Sequence, residues 1–135
     1  MGLAPINKSW LFEHPLRKVY GAWVSSDTAI APAAKMDIHP VEGGHYRLYM
    51  NADSSEPDNE RHFTRVEPEQ RVTYTWQWAG DSEQTVIDVQ FVAEGSGTKV
   101  TLTHSGFETQ RSRDNHDVGW DSYTSGFADF LNTLT

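Results

Sequence analysis

The chain predicts an α+β fold: a curved antiparallel sheet of six or seven strands wrapped around a long C-terminal helix, with two short helices after the first strand. Three observations carry this. Segments with an apolar residue at every second position recur between residues 35 and 104, the pattern of half-buried antiparallel strands. Short turn sequences separate them (Glu67-Pro-Glu-Gln70 and Gly95-Ser-Gly97 are the plainest), so strands adjacent in sequence pair as a meander. The last segment changes period: Trp120, Tyr123, Phe127, Phe130, Leu131 and Leu134 recur at three and four residues, an apolar helical stripe. Strands and helices segregated along a chain mark an α+β fold.

The first strand is expected within Ile6 to Phe12. Pro15 then suits a first helical position, and Leu16, Val19, Tyr20 and Trp23 follow at helical spacing until Ser25 and Ser26 stop the helix. A second short helix is expected from near Asp27 to Pro32. Lys35 to His39 is a short strand, and Pro40-Val-Glu-Gly-Gly44 is turn chemistry. His45 to Met50 places Tyr46, Leu48 and Met50 on one face. The acidic segment from Asn51 to Glu60, without large apolar residues, reads as an exposed connection. Arg61 to Val66 is the next strand, and Pro68 fixes φ in the turn after it.

Arg71 to Trp78 alternates strictly, with Val72, Tyr74, Trp76 and Trp78 inward. Thr85 to Glu94 follows with Ile87, Val89 and Phe91 inward, and Thr98 to His104 with Val100, Leu102 and His104 inward. For the final helix, Asp114 or a nearby Ser is a suitable cap. Gly126 inside it costs about 1 kcal/mol against Ala, which suggests close packing on the sheet.

Composition narrows the function. The 135 residues read as one domain spanning 1–135, large enough for a core without staples. With no cysteine, disulfides, thiolate metal sites and cysteine nucleophiles are excluded, which suits a reducing, cytoplasmic location. The net charge of −8, with Lys and Arg scattered, disfavours nucleic acid and anionic membrane surfaces. Residues 1–10 hold no apolar run of signal-peptide or anchor type, and no stretch approaches the roughly 20 apolar residues of a membrane span. The six histidines include no i, i+4 pair and no HExxH, so no metal site is called, and no phosphate loop or dinucleotide fingerprint calls for a cofactor.

The aromatic residues stand out in this otherwise polar chain. The face they define gathers Tyr46, Leu48, Tyr74, Trp76, Trp78, Val89, Phe91, Leu102 and His104 from the strands, Trp23 from the first helix, and Trp120, Tyr123 and Phe127 from the last. A ring-rich face of that width either packs as core or lines a cavity for an apolar molecule. His104 is the best candidate for acid–base chemistry, being inward at a strand end; its alternative role is to tie that strand structurally. Tyr46, Tyr74 and Tyr123 are candidates to orient a ligand through a phenol. Arg47 is placed outward by parity, whereas Arg65 shares the parity of Phe63, so its direction is open.

Several stretches carry a family resemblance when taken in order: Pro15-Leu-Arg-Lys-Val-Tyr-Gly-Ala-Trp23, Gly43-Gly-His-Tyr-Arg47, Val66-Glu-Pro-Glu-Gln-Arg-Val-Thr-Tyr-Thr-Trp76, Gly97-Thr-Lys-Val-Thr-Leu-Thr-His104 and Gly119-Trp120. Together they resemble the family homologous to the activator of the Hsp-90 ATPase, within the START/Bet v-like superfamily of helix-grip domains. The resemblance covers nearly the whole chain. It departs at Ala33 and Ala34, where members often carry a Trp, and at Glu60, where many have Gly. It implies a helix-grip fold with an internal cavity, and often an apolar ligand. Three functions follow as expectations. One is binding of a small hydrophobic or aromatic molecule for transport, sensing or sequestration. Another is a cyclase, isomerase or hydrolase acting on an aromatic or polyketide-like substrate. The last is a co-chaperone-like interaction domain. An exposed sheet edge would also allow a homodimer.

Overall fold

The computed structural model describes residues 3–28, 30 and 33–134. Its elements follow in the order β1 (Ile6–Phe12), α1 (Leu16–Trp23), β2 (Lys35–Ile38), β3 (His45–Tyr49), β4 (Asn59–Glu67), β5 (Arg71–Trp76), β6 (Thr85–Glu94), β7 (Gly97–Ser105) and α2 (Gln110–Thr133). The seven strands form one sheet in the order β1-β7-β6-β5-β4-β3-β2, antiparallel at every pairing. Strands β2 to β7 are the expected meander, and β1 returns to pair with β7, Ile6 opposite His104 and Phe12 opposite Thr98.

The sheet curls, as a twisted sheet of this many strands does, and both of its flanks reach the same helix. On one flank, Lys8 of β1 pairs with Asp117 and Asp121 of α2 at 2.8 and 2.7 Å. On the other, Tyr46 of β3 lines a common cavity with Trp120 and Tyr123 of α2. This curved antiparallel sheet closed on a long C-terminal helix is the helix-grip α+β fold.

Alternation sets the core. Val72, Tyr74 and Trp76 of β5, Ile87, Val89 and Phe91 of β6, and Val100, Leu102 and His104 of β7 are all buried. Val19, Tyr20, Ala22 and Trp23 of α1 and Trp120, Thr124, Phe127 and Leu131 of α2 meet them.

The structure corrects several expectations. Helix α1 starts at Leu16, one residue after Pro15, whose extended backbone presents its carbonyl to the amides of Lys18 and Val19. In place of the start of a second helix, Ser26 and Asp27 form a turn; Ala29, Ala31 and Pro32, to which that helix was extended, lie outside the described residues. Ser26 instead covers the edge of β2, its Oγ accepting from the Ile38 amide at 2.9 Å.

Met50 does not continue the inward face of β3, because the strand ends at Tyr49 and Met50 donates its amide to Asp58 at 2.6 Å, leaving its side chain exposed. A register shift between Phe63 and Arg65 breaks the parity of β4 and turns Arg65 outward, where it pairs with Glu67 at 3.4 Å. Arg47 faces outward as expected, between Glu60 and Asp37.

Helix α2 is capped by Thr109, not Asp114: its Oγ1 accepts from the Ser112 amide at 3.0 Å. The helix therefore begins about one turn earlier than a cap at Asp114 would place it. Thr109→Ala is expected to cost about 1 kcal/mol, read as a lower urea midpoint. Gly126 is indeed a close approach, but to the segment after α1: a Cβ there would lie 2.6 Å from Cγ2 of Ile30.

Candidate functional site: a cavity between sheet and helix

Between the N-terminal half of α2 and the β2–β3–β5 flank lies a cavity of about 600 Å³, within the range of small-molecule sites. Its interior is built by Met36 of β2, Tyr46 and Leu48 of β3, Trp76 of β5, Trp120 and Tyr123 of α2, and Thr28, Ile30 and Ala33 from the segment after α1. Most of these are buried, and none carries a charge. The exposed lining residues Asp81, Thr109, Arg111, Asn115, Gly119 and Ser122 are polar or small and mark the mouth. An apolar interior with a polar rim admits an apolar body and leaves a polar end in water.

The helix supplies two stripes to this site. Residues 112, 116, 120 and 123 face in, and 111, 115, 119 and 122 edge the mouth, as i, i+3 and i+4 spacing requires. The helix start is fixed by Glu83, a buried carboxylate from the β5–β6 connection. It accepts from the Glu108 amide at 2.7 Å and the Ser112 hydroxyl at 2.6 Å. A carboxylate at a helix N-terminus is also favoured by the helix dipole.

Of the residues expected to form the site, Tyr46, Leu48, Trp76, Trp78, Trp120 and Tyr123 line the cavity. Trp78 does so from beyond the end of β5, held by an isolated bridge to Asn59. Trp23, Tyr74, Val89, Phe91, Leu102, His104 and Phe127 do not line it; they are packed in the core, several edge-to-face around Trp23. The pocket residues that the sequence reading missed are chiefly Thr28, Ile30, Ala33 and Met36, together with the polar first turns of α2. Spacing gave a signal for part of this: Ser112 and His116 stand eight and four residues before Trp120, on the same face.

Burial sets the protonation of these groups. His104 is fully buried, with Nδ1 accepting from the Trp120 indole at 3.0 Å and Nε2 within 2.7 Å of the Thr85 hydroxyl. An indole only donates, so the proton sits on Nε2 and is given to Thr85. Burial, with His116 as the lesser cause, pushes the His104 pKa down to about 3. It is a neutral structural link between β7, β6 and α2, turned away from the cavity. Burial likewise pushes the phenol of Tyr74 up to about 12, and those of Tyr46 and Tyr123 upward, so all three are neutral donors at physiological pH. Among the described residues no group of three or more His, Cys, Asp or Glu is placed to hold a metal. No helix among them is long and apolar enough to cross a membrane.

Comparison with known proteins gives this architecture a family. The profile described as Activator of Hsp90 ATPase homolog 1-like protein matches residues 13–132. No curated protein sequence matches the chain significantly. Among solved structures, protein MLL2253 from Mesorhizobium loti is 20% identical, with a TM-score of 0.81 over 97% of this chain and 98% of that one. An HSP90 activator from Plasmodium falciparum, PFC0360w, is 13% identical, with a TM-score of 0.80 over 96% and 97%. CalU16 from Micromonospora echinospora is 19% identical, with a TM-score of 0.76 over 94% and 75%. At such identities the likeness is one of fold. The profile match spans most of the chain, and the protein therefore belongs to the family of Activator of Hsp90 ATPase homolog 1-like proteins.

Proposed function

We propose that the protein binds a small hydrophobic or aromatic molecule in the cavity between sheet and helix, as a carrier, sensor or sequestering protein. The observation that carries this reading is the uncharged, ring-lined interior of about 600 Å³ beneath a polar mouth. Tyr46, Leu48, Trp76, Trp78, Trp120 and Tyr123 are the proposed contacts, with the neutral phenols of Tyr46 and Tyr123 able to give a hydrogen bond to a ligand oxygen. An enzymatic reading needs an acid or base that faces the ligand. His104 is turned away, both nitrogens of His116 are already engaged, and Asp81 stands exposed at the mouth, accepting from the Glu83 amide, so binding is the better-supported function.

Gly119 provides the test. A Cβ there meets nothing within 4 Å, so a large side chain would stand in the mouth without disturbing the core. The probe is prodan, an uncharged naphthyl ketone whose emission shifts to the blue in apolar surroundings. The wild-type protein is expected to bind it saturably, and Gly119→Trp to weaken binding by about tenfold or more with an unchanged far-UV CD spectrum. Absence of saturable binding to the wild type, or equal binding by both proteins, would reject the cavity as the site.

A second reading, docking onto a chaperone of the Hsp90 type, draws on the similar fold of the P. falciparum HSP90 activator. Retention of purified Hsp90 on the immobilised protein would favour it, and its loss after substitution of exposed residues alone would separate it from cavity binding.

A further inference from the structure

A side-chain hydrogen bond between two cavity-lining residues joins the segment after β5 to the helix. Trp78, two residues beyond the end of β5, donates Nε1–H to Nε2 of His116 at 3.3 Å. Nδ1 of the same imidazole lies 2.8 Å from the Ser112 carbonyl. An indole nitrogen only donates and a carbonyl only accepts, so His116 is a neutral ring carrying its proton on Nδ1. Both residues line the cavity, from opposite elements. We propose that the Trp78–His116 hydrogen bond is a latch on the cavity that opens when His116 takes up a proton, so that a bound apolar molecule leaves faster in mildly acid solution than at neutral pH. This inference rests on the ligand-binding reading above.

A second proton on His116 has one place to go, Nε2, the atom that faces the Trp78 N–H. Two donors cannot share that contact, and the bond is lost.

The surroundings leave a cation there partly compensated. From the β5–β6 connection, Glu83 reaches Ser112, one turn before His116, and Asp81 lines the same cavity. From β7, the neutral ring of His104 stands 5.0 Å away, nearly perpendicular, and Phe107 after it is 5.3 Å away. On α2 itself, Arg111 lines the cavity and opposes the proton. Arg113 is turned to the carbonyls of Ala4 and Pro5, and Asp117 to Lys8.

The fold also indicates which partner moves. Glu83 holds the start of α2 through the Glu108 amide and the Ser112 hydroxyl, neither of which involves His116. Trp78 lies outside the continuous ladder, on a single bridge to Asn59. The helix therefore stays and the indole yields.

Two measurements on the intact protein test this. In a pH titration followed by indole ¹H–¹⁵N NMR, with Trp78→Phe identifying the resonance, the Trp78 signal is expected to titrate in the wild type and to be flat in His116→Phe. In stopped-flow dissociation of prodan, the wild type is expected to release the probe about fivefold or more faster at about pH 5.5 than at about pH 7.5, the scale of losing one hydrogen bond. His116→Phe should release it rapidly at both. Far-UV CD at both pH values checks that the fold is retained. A Trp78 indole that does not titrate, or a release rate that ignores pH while the indole titrates, would overturn the latch and leave the binding reading standing. Failure of prodan to bind at neutral pH would overturn the binding reading, and the latch with it.

Discussion

His104→Ala is expected to destabilise the protein by about 3–5 kcal/mol, although His104 does not itself line the proposed binding cavity and stands behind Trp120 in its wall. Two costs add. Removing a fully buried ring leaves a hole that the neighbouring Phe107, Trp120 and Thr85 fill only in part. Removing its nitrogens leaves the Trp120 indole N–H buried without an acceptor, a penalty of about 1–3 kcal/mol. His104→Gln keeps an acceptor and a donor near the same places and should recover part of the loss.

The two variants differ from the wild type in a second, more diagnostic way. The folded protein refuses a proton on His104 until about pH 3, whereas the unfolded chain accepts one near the ordinary imidazole value of about 6.5. Between these limits the unfolded state binds more protons, so this residue's contribution is fully present above about pH 6.5 and is lost as the pH falls towards 3. The slope approaches about 1.4 kcal/mol per pH unit. Urea midpoints at neutral pH and near pH 5 should therefore converge between wild type and His104→Gln, the wild type losing more. Parallel pH profiles would show that His104 takes up its proton over the same pH range folded and unfolded, against the hydrogen-bond assignment given above.

Phe127→Ala is expected to cost a similar 3–5 kcal/mol, lowering Tm by roughly 10–20 °C in a thermal melt. Phe127 is fully buried where three elements converge. Its ring meets Phe12 of β1 edge-on at 5.2 Å and Trp23 of α1 at 5.0 Å, and stacks on Tyr123 one turn before it at 5.9 Å. Pairs of this kind contribute about 0.5–1.5 kcal/mol beyond the area they bury. The variant also separates the two halves of α2. The C-terminal half, around Phe127 and Leu131, anchors the helix, and the N-terminal half roofs the cavity. Because Phe127 stacks on Tyr123, a proposed ligand contact, some coupling is expected; prodan affinity in Phe127→Ala, measured well below its melting point, should still fall by no more than about fivefold if that division holds. A collapse of binding alongside stability would mean that the cavity depends on the anchor directly.

Much of the fold was legible because strand parity is a local property. Ile6–Phe12 and Thr85–Glu94 have the bounds expected of them, and the inward residues of β5, β6 and β7 are buried as their alternation requires. Parity fails where the backbone departs from a regular ladder. The register shift in β4 turned Arg65 outward, and the end of β3 released Met50. The start of α2 was obscured for a different reason: its first two turns, from Gln110 to Asp117, carry no apolar residue, so no stripe marks them.

The candidate site was half legible for a related reason. Alternation says which side chains point to the interior, but not whether the interior is filled. Near β6 and β7 the inward rings of Trp23, Phe91 and Phe127 meet one another and close the space. Near β2 and β3 the inward residues Met36, Tyr46 and Leu48 face the polar-edged start of α2 across a void.

The α+β class, the meander, the aromatic inner face and the helix that covers it follow from residue period, turn chemistry and burial of apolar area along the chain. Tertiary structure alone decided where the cavity lies, that His104 is a neutral strut, and that His116 and Trp78 meet at the cavity wall. Those outcomes depend on contacts between residues far apart in the chain, such as Glu83 with Ser112 and Ile30 with Gly126, which fix the distance between helix and sheet. No local pattern encodes that distance.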